Sequence, residues 1–294
     1  MARLTPSSSA PAGLTPLDIL LGVTVALVWG MGFVFAKAAI AHFPPILLMA
    51  FRFSVTALAL VWFVRIPRGQ LLALFAIAFV AAGFQYGLTF TGLKQLDAGA
   101  AALIVQLEVP FLVIIGALFL GEAPGWRKWI GIALAFVGVW YISGAPRIAS
   151  EWPSVLMVIG GAFFWAVGQA MIRRLERIDG LTVTAWIAVM ATPQLFLGSL
   201  LVERDQVAAI ANAGPVVWLA VLYLGLVMTA FGYGLWNTLL RRNPVSQVAP
   251  FLLLLPLFAL VGGVVFLGED PGPQTLIGGA LVIGGVGFIL FSRD

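Results

Sequence analysis

Glu108, Arg52 and Lys37 are ionisable residues set inside stretches of the chain that are otherwise apolar. A charge away from water is costly, so such groups are retained where they bind, move or neutralise other charges. Glu108 lies about ten residues into the apolar stretch 98–120. At 1.5 Å of rise per helical residue that is the middle of a membrane-crossing helix. A carboxylate there can carry a proton or receive a substrate amino group. It can also form a structural ion pair with Arg52 or Lys37, which would hold it ionised. Arg52 and Lys37 in turn can attract a substrate carboxylate, or can reach back to the membrane surface as anchors.

Uncharged groups add to this inventory. Gln85, Gln106, Gln169, Gln194 and Asn237 are amides within apolar stretches. They can bond a substrate or tie helices together, at about 1 kcal/mol or less per bond. Gln106 and Glu108 stand about 200° apart on a helix and cannot share a face, so one of them should face any cavity, and Glu108 is the expected one. Trp29, Tyr86, Trp165, Tyr233 and Trp236 are aromatic residues well inside apolar stretches. They can stack on a planar ligand or contact a cation, or simply pack. Trp126, Trp129, Trp152 and Trp218 sit near the stretch ends, as membrane-interface aromatics do.

The elements that must carry these groups are membrane helices. Hydrophobic residues make up 62% of the 294 residues and charged residues 10%, against about 25% charged in soluble domains. A helix needs about 20 apolar residues to cross a bilayer. Ten such spans are expected, at about 17–41, 46–64, 71–92, 98–120, 127–144, 154–173, 182–202, 216–240, 245–267 and 274–292. Residues 1–16, rich in Ser, Pro and Ala, read as a disordered cytoplasmic tail and lack the features of a secretory signal. There is no cysteine, and His42 is the single histidine, which argues against a disulfide framework or a thiol or histidine metal site.

Basic residues set the expected orientation. One set of loops and termini holds Arg3, Arg65, Arg68, Arg127, Lys128, Arg173, Arg174, Arg177, Arg241, Arg242 and Arg293, and the other holds Lys94, Arg147 and Arg204. That asymmetry puts both termini in the cytoplasm. The chain also repeats itself. Phe119–Leu120–Gly121–Glu122–Ala123–Pro124–Gly125 returns 147 residues later as Phe266–Leu267–Gly268–Glu269–Asp270–Pro271–Gly272, and ten of sixteen positions agree between 119–134 and 266–281. Trp29–Gly30–Met31–Gly32 is echoed by Trp165–Ala166–Val167–Gly168, with Lys37 opposite Arg173. Five spans per copy is an odd number, so the second copy, 152–292, should be inverted relative to the first, 17–144. Such repeats place a substrate site between the halves.

Pro110, Pro250 and Pro256 interrupt the fourth and ninth spans at similar places in both copies, which suits hinges. Gly131 and Gly138 in the fifth span are mirrored by Gly278 and Gly285 in the tenth, and lie on one helix face for close packing. Glu122 and Glu269 lie at loop turns in both halves and read as local caps or turn acceptors, not catalysts.

These residues resemble a known family. The two LGE turns, each followed by a G-x-A-L pattern, close a fourth and a ninth span. Leu96–Asp97–Ala98–Gly99 with Pro110 in one half corresponds to Asn243–Pro244–Val245–Ser246 with Pro256 in the other. The pattern is similar to the drug/metabolite transporter superfamily, EamA branch, over about residues 17–292, and within it to the YddG-type exporters of aromatic amino acids. The resemblance implies an all-α membrane protein of ten transmembrane helices, two inverted five-helix repeats around a central cavity. It implies that spans 1, 3, 4, 6, 8 and 9 line that cavity and that spans 5 and 10 stand outside. On those spans Trp29, Gln85, Tyr86, Glu108, Trp165, Gln169, Tyr233 and Trp236 become the expected substrate surface. The expected activity is export of small amphipathic metabolites across a bacterial inner membrane by alternating access. No nucleotide-binding P-loop is visible and no cofactor is expected. The expected partners are a small-molecule substrate and membrane lipid, not nucleic acid, with the chain a monomer or weak homodimer. An embedded enzyme would need clustered nucleophiles, metal ligands or paired acids, and a lipid-handling protein would need a groove open to lipid.

Overall fold

A backbone in hydrocarbon must satisfy its polar groups within each segment, which selects helices. The computed structural model describes residues 14–119, 124–145, 148–175 and 178–292, and contains no strand among them. In chain order its long helices are α1 (Pro16–Ile40), α2 (Pro45–Phe63), α3 (Leu71–Leu93), α4 (Ala98–Phe119), α5 (Trp126–Ser143), α6 (Ala149–Ile172), α7 (Gly180–Val202), α8 (Pro215–Arg242), α9 (Ala249–Leu267) and α10 (Pro273–Phe291). Nine of them among the described residues are long and apolar enough to cross a membrane. The exception is α5, whose first turn carries Arg127 and Lys128. Residues 1–13 of the expected tail, Leu120–Ala123 of the first turn motif, and Arg147, Arg177 and Arg293 lie outside the described residues.

Local chemistry fixes the helix ends. Thr15 and Asp18 form a capping box at the start of α1, where each side chain accepts the other's backbone N–H at 3.2 and 3.1 Å. Proline occupies the first turn of α1, α2, α8 and α10, where its missing N–H costs nothing. Gly268 ends α9 at φ 67°, a left-handed conformation that favours glycine.

The packing pairs are exchanged into one another when the first five helices are swapped for the last five. α5 packs on α10, α2 on α7 and α4 on α9. The α3–α6 contact corresponds to α8–α1, and α1–α9 to α6–α4. Glycines give the sharpest form of this symmetry. A Cβ on Gly131 would lie 2.6 Å from the Gly285 carbonyl, and one on Gly285 equally close to the Gly131 carbonyl; Gly138 and Gly278 meet in the same reciprocal way at 2.7 Å. Residue i of one copy meets residue j of the other, and j meets i. That is the pattern of a two-fold relation between antiparallel helices.

The same offset of 147 residues relates the irregular backbone. Phe79–Phe84 in α3 and Tyr223–Phe231 in α8 are π-helical. In α4 the regular helix stops at Val105 and resumes at Glu108, and in α9 a 3₁₀ stretch, Ala249–Leu254, precedes the α-helix from Leu255. The ninth span expected over 245–267 is thus in three parts, because Pro250 and Pro256 each withhold a backbone donor.

Two carboxylates of the second half hold helix starts of the first. Glu203, just past α7, accepts the backbone N–H of Ile46 at 2.8 Å and of Leu47 at 3.0 Å at the head of α2, with Ser199 donating to it at 2.7 Å. Glu269 accepts the Ala98 N–H at 2.8 and 3.0 Å at the head of α4. Glu269 is therefore a helix cap, but for a helix of the other half, which corrects the reading of it as a local cap or turn acceptor. Asp97 makes no side-chain cap for α4, so the free N–H is taken from across the repeat. Burial raises the Glu269 carboxyl above the ordinary glutamate range, against the lowering effect of the Ala98 N–H. Glu203→Ala should lower stability by about 1–2 kcal/mol, as lost N-caps do. A thermal melt in detergent checks this, and a melting temperature unchanged from the parent protein would refute it.

Candidate functional site

Arg52 is 1% exposed, yet no carboxylate pairs with it among the described residues. It sits at the middle of α2 because neighbouring helices supply a substitute for hydration. Nε donates to the Thr229 hydroxyl of α8 at 3.2 Å, and Nη2 to the Tyr86 hydroxyl of α3 at 3.5 Å. The guanidinium carbon stands 4.6 Å from the Tyr86 ring centre, 5.5 Å from that of Phe53 and 6.0 Å from that of Phe90. Each desolvated cation–π contact is worth about 0.5–2 kcal/mol. Tyr86 and Phe90 are four residues apart on α3 and stack at 5.7 Å, so one helix face supplies both rings.

The expected ion pair is absent among the described residues. Glu108, at the start of the second part of α4, is half-buried and makes neither a hydrogen bond nor an ion pair among the described residues. Lys37 is committed elsewhere, donating to the carbonyls of Leu93 at 3.0 Å and Lys94 at 2.9 Å at the end of α3. Its long side chain finds the carbonyls that a helix C-terminus leaves free. Asp97 and Glu269 are the acids in its field.

An aromatic group stands beside these charges. Trp29 on α1 packs on Tyr233 at 5.0 Å and on Trp236 at 5.8 Å, and its indole N–H donates to the Met228 carbonyl at 3.0 Å inside the π-helical stretch of α8. Gly232 lets the indole approach, since a Cβ there would be 2.5 Å from it. Tyr233 lies within electrostatic range of Tyr86, Arg52 and Glu108. The structure therefore brings together Trp29, Tyr233 and Trp236 from α1 and α8, and Arg52 with Tyr86 from α2 and α3. Trp165 and Gln169 lie partly buried on α6, with no bonded side-chain partner among the described residues. Gln85 is 5% exposed, its side-chain oxygen unpartnered where α3 meets α6.

Gln106 has a different task. Its amide donates at 3.3 Å to the Leu252 carbonyl of α9. That carbonyl already takes the Leu255 N–H in the 3₁₀ turn, and the regular donor of an α-helix would be residue 256, a proline. The breaks in the two halves are thus bonded to each other. Gln106→Leu should destabilise by about 1 kcal/mol. In a Pro256→Ala background, which restores a backbone donor, the loss should shrink. A double-mutant melting cycle checks this, and strictly additive effects would exclude the proposed exchange of donors. Gln194 is likewise structural, donating to the Phe75 carbonyl of α3 at 3.2 Å.

Thr229, Phe53 and Phe90 were not anticipated as site residues. The signals present in sequence were an Arg-Phe pair and aromatics four apart on the next span. Which of 36 aromatic residues would meet Arg52 depended on helix rotation.

Cavities open at both ends of α7. One of about 430 Å³ is lined by Asp179, Leu181, Asn237 and Arg241 at its start. The other, of about 380 Å³, is lined by His42, Lys94, Glu203 and Arg204 at its end. Asp179 caps α7 by accepting the Thr182 N–H at 3.0 Å and hydroxyl at 2.6 Å, and these bonds hold its carboxyl below the usual range.

Paired helical halves, broken helices at mid-depth and a polar cluster between the halves define a multi-pass membrane transporter. The chain belongs to the EamA-like transporter family, which it matches over residues 17–144 and 152–291. A Salmonella typhimurium protein named "probable amino-acid metabolite efflux pump" is 31% identical over 92% of this chain and 93% of its own length. Its Escherichia coli namesake is 27% identical over the same shares. A "probable terminal-alkyne amino-acid exporter" of Streptantibioticus cattleyicolor is 32% identical over 76% of this chain and 74% of its own. In fold the chain resembles a solved crystal structure at a TM-score of 0.65, covering 92% of this chain and 95% of that one at 21% identity.

Proposed function

We propose that this protein is a secondary transporter that exports small amphipathic metabolites, above all aromatic and large neutral amino acids, across a bacterial inner membrane. Its ten helices, α5 included, cross the bilayer with both termini in the cytoplasm. The two repeats, 17–144 and 152–292, alternate access around the cluster between them, with the breaks in α4 and α9 at Pro110, Pro250 and Pro256 as hinges. It is not an enzyme. The observation that carries this reading is the Trp29–Tyr233–Trp236 aromatic group together with the buried Arg52 and its Tyr86 partner. That arrangement suits a ligand with an apolar ring and a polar end. The names of the relatives point the same way.

The test is counterflow in proteoliposomes of purified protein. Vesicles preloaded with phenylalanine should accumulate labelled phenylalanine, and tryptophan or leucine should compete while glutamate should not. Labelled phenylalanine that stays at the level of empty vesicles would refute the reading. Comparing matched and unmatched pH across the membrane decides between proton coupling and facilitated diffusion.

A further inference from the structure

We propose that the two cavities at the ends of α7 are a repeated pair of sites for the phosphate of an anionic phospholipid, one at each face of the membrane. The proposal stands apart from what the protein transports.

The first observation is that the cavities are copies of each other. The one at the end of α7 lies where the turn between α1 and α2 meets the end of α3. The one at its start lies where the turn between α6 and α7 meets the end of α8. Exchanging the halves exchanges these two settings. Each cavity holds a basic residue at the equivalent place, Lys94 and Arg241, separated by the same 147 residues as the repeated motif. Because α7 is long enough to cross the membrane, the two cavities open at opposite faces.

The second observation is charge. The acid in each cavity is already engaged as a helix cap. Glu203 accepts two backbone N–H groups and the Ser199 hydroxyl, and Asp179 accepts the Thr182 N–H and hydroxyl. The side chains of His42, Lys94 and Arg204 at one end, and of Asn237 and Arg241 at the other, have no bonded partner among the described residues. Each of these five can donate an N–H. What is left open is positive charge and donors, the complement of phosphate oxygens. The gathering is uneven along the chain. The loop set poor in basic residues holds Lys94, Arg147 and Arg204, and two of these three line one cavity together with the single histidine.

The third observation is depth. Phe43, in the wall of the cavity at the end of α7, packs on Trp218 with ring centres 6.4 Å apart. Trp218 stands near a span end, where indoles meet lipid headgroups. Leu200, Leu201 and Val202, directly before Glu203, are exposed along α7 and offer a surface to acyl chains. At the other end Leu181 and Leu240 supply an apolar wall. A headgroup with its own ammonium fits less well, because it would meet Lys94, Arg204 or Arg241 while both acids are already bonded.

The experiment titrates the purified full-length protein in neutral detergent with phosphatidylglycerol. Native mass spectrometry reads retained lipid, and a thermal melt reads the accompanying rise in melting temperature. The parent protein should retain two lipids, and fewer when phosphatidylethanolamine replaces phosphatidylglycerol. A basic residue near a membrane surface strengthens anionic-lipid binding by about fivefold. Arg241→Gln should therefore weaken one of the two sites by about that factor, and Lys94→Gln with Arg204→Gln should weaken the other by about 25-fold. Lys94→Arg, which keeps the charge, should retain both lipids. Arg68→Gln removes an exposed basic residue outside both cavities and should also retain both. Equal retention of the two lipids by the parent, or an Arg68→Gln loss as large as those at the cavities, would overturn the proposal. So would inorganic phosphate raising the melting temperature as much as phosphatidylglycerol does, since the ligand would then be a free anion.

Discussion

Gly138→Leu should abolish the recovery of folded, monodisperse protein. A Cβ at 138 would lie 2.7 Å from both the Gly278 carbonyl and the Val282 nitrogen, which are backbone atoms of the facing helix and cannot rotate aside. The helices α5 and α10 must then part along a seam where Gly131 and Gly285 also touch through their backbones. Overpacking typically costs about 1–3 kcal/mol and sometimes more. Four added carbons against backbone, in an interface held by close van der Waals approach, belong at the upper end. Gly138→Ala should give a graded version, with lower yield and a reduced melting temperature. Size-exclusion profiles and thermal melts check both. A leucine variant that elutes and melts like the parent would mean that the seam is not a close backbone contact. The neighbouring Gly284, whose Cβ would meet nothing nearer than 4.0 Å, is the internal control and should accept alanine without loss.

Trp29→Ala should combine a large loss of stability with loss of transport. The indole stacks on two rings and donates to the Met228 carbonyl within the π-helical stretch of α8, whose backbone has fewer regular partners. Truncating a packed aromatic costs about 3–5 kcal/mol. The missing ring would also leave Tyr233 without the neighbour that fixes its position. Trp29→Phe separates the two contributions. It keeps most of the stacking and loses only the donor, so it should recover most of the melting temperature. Counterflow of phenylalanine should remain well below the parent level in the alanine variant. A Trp29→Ala protein with parental stability and flux would remove Trp29 from both the packing and the site.

Much of this molecule follows from order along the chain. Sixty-two per cent hydrophobic residues and short polar interruptions determine membrane helices, because no other open structure satisfies a backbone in lipid. The motif repeated at 147 residues determines two copies, and the paired glycines of α5 and α10 announce their contact. Pro110 and Pro256 locate the breaks, because a missing N–H acts on its own turn whatever surrounds it. The tertiary structure decided which groups meet. Glu108 and Arg52, within reach by depth, remain apart, Lys37 turns to the carbonyls of Leu93 and Lys94, and Glu269 caps a helix of the other half. Gln106 bonds the opposite break, and Arg52 finds Tyr86, Phe90 and Thr229 instead of an acid. Sequence fixes a residue's depth in a span through the rise per residue. It does not fix the rotation of each helix about its own axis. Where the apolar pattern runs all round a helix, that rotation is set only by packing against its neighbours.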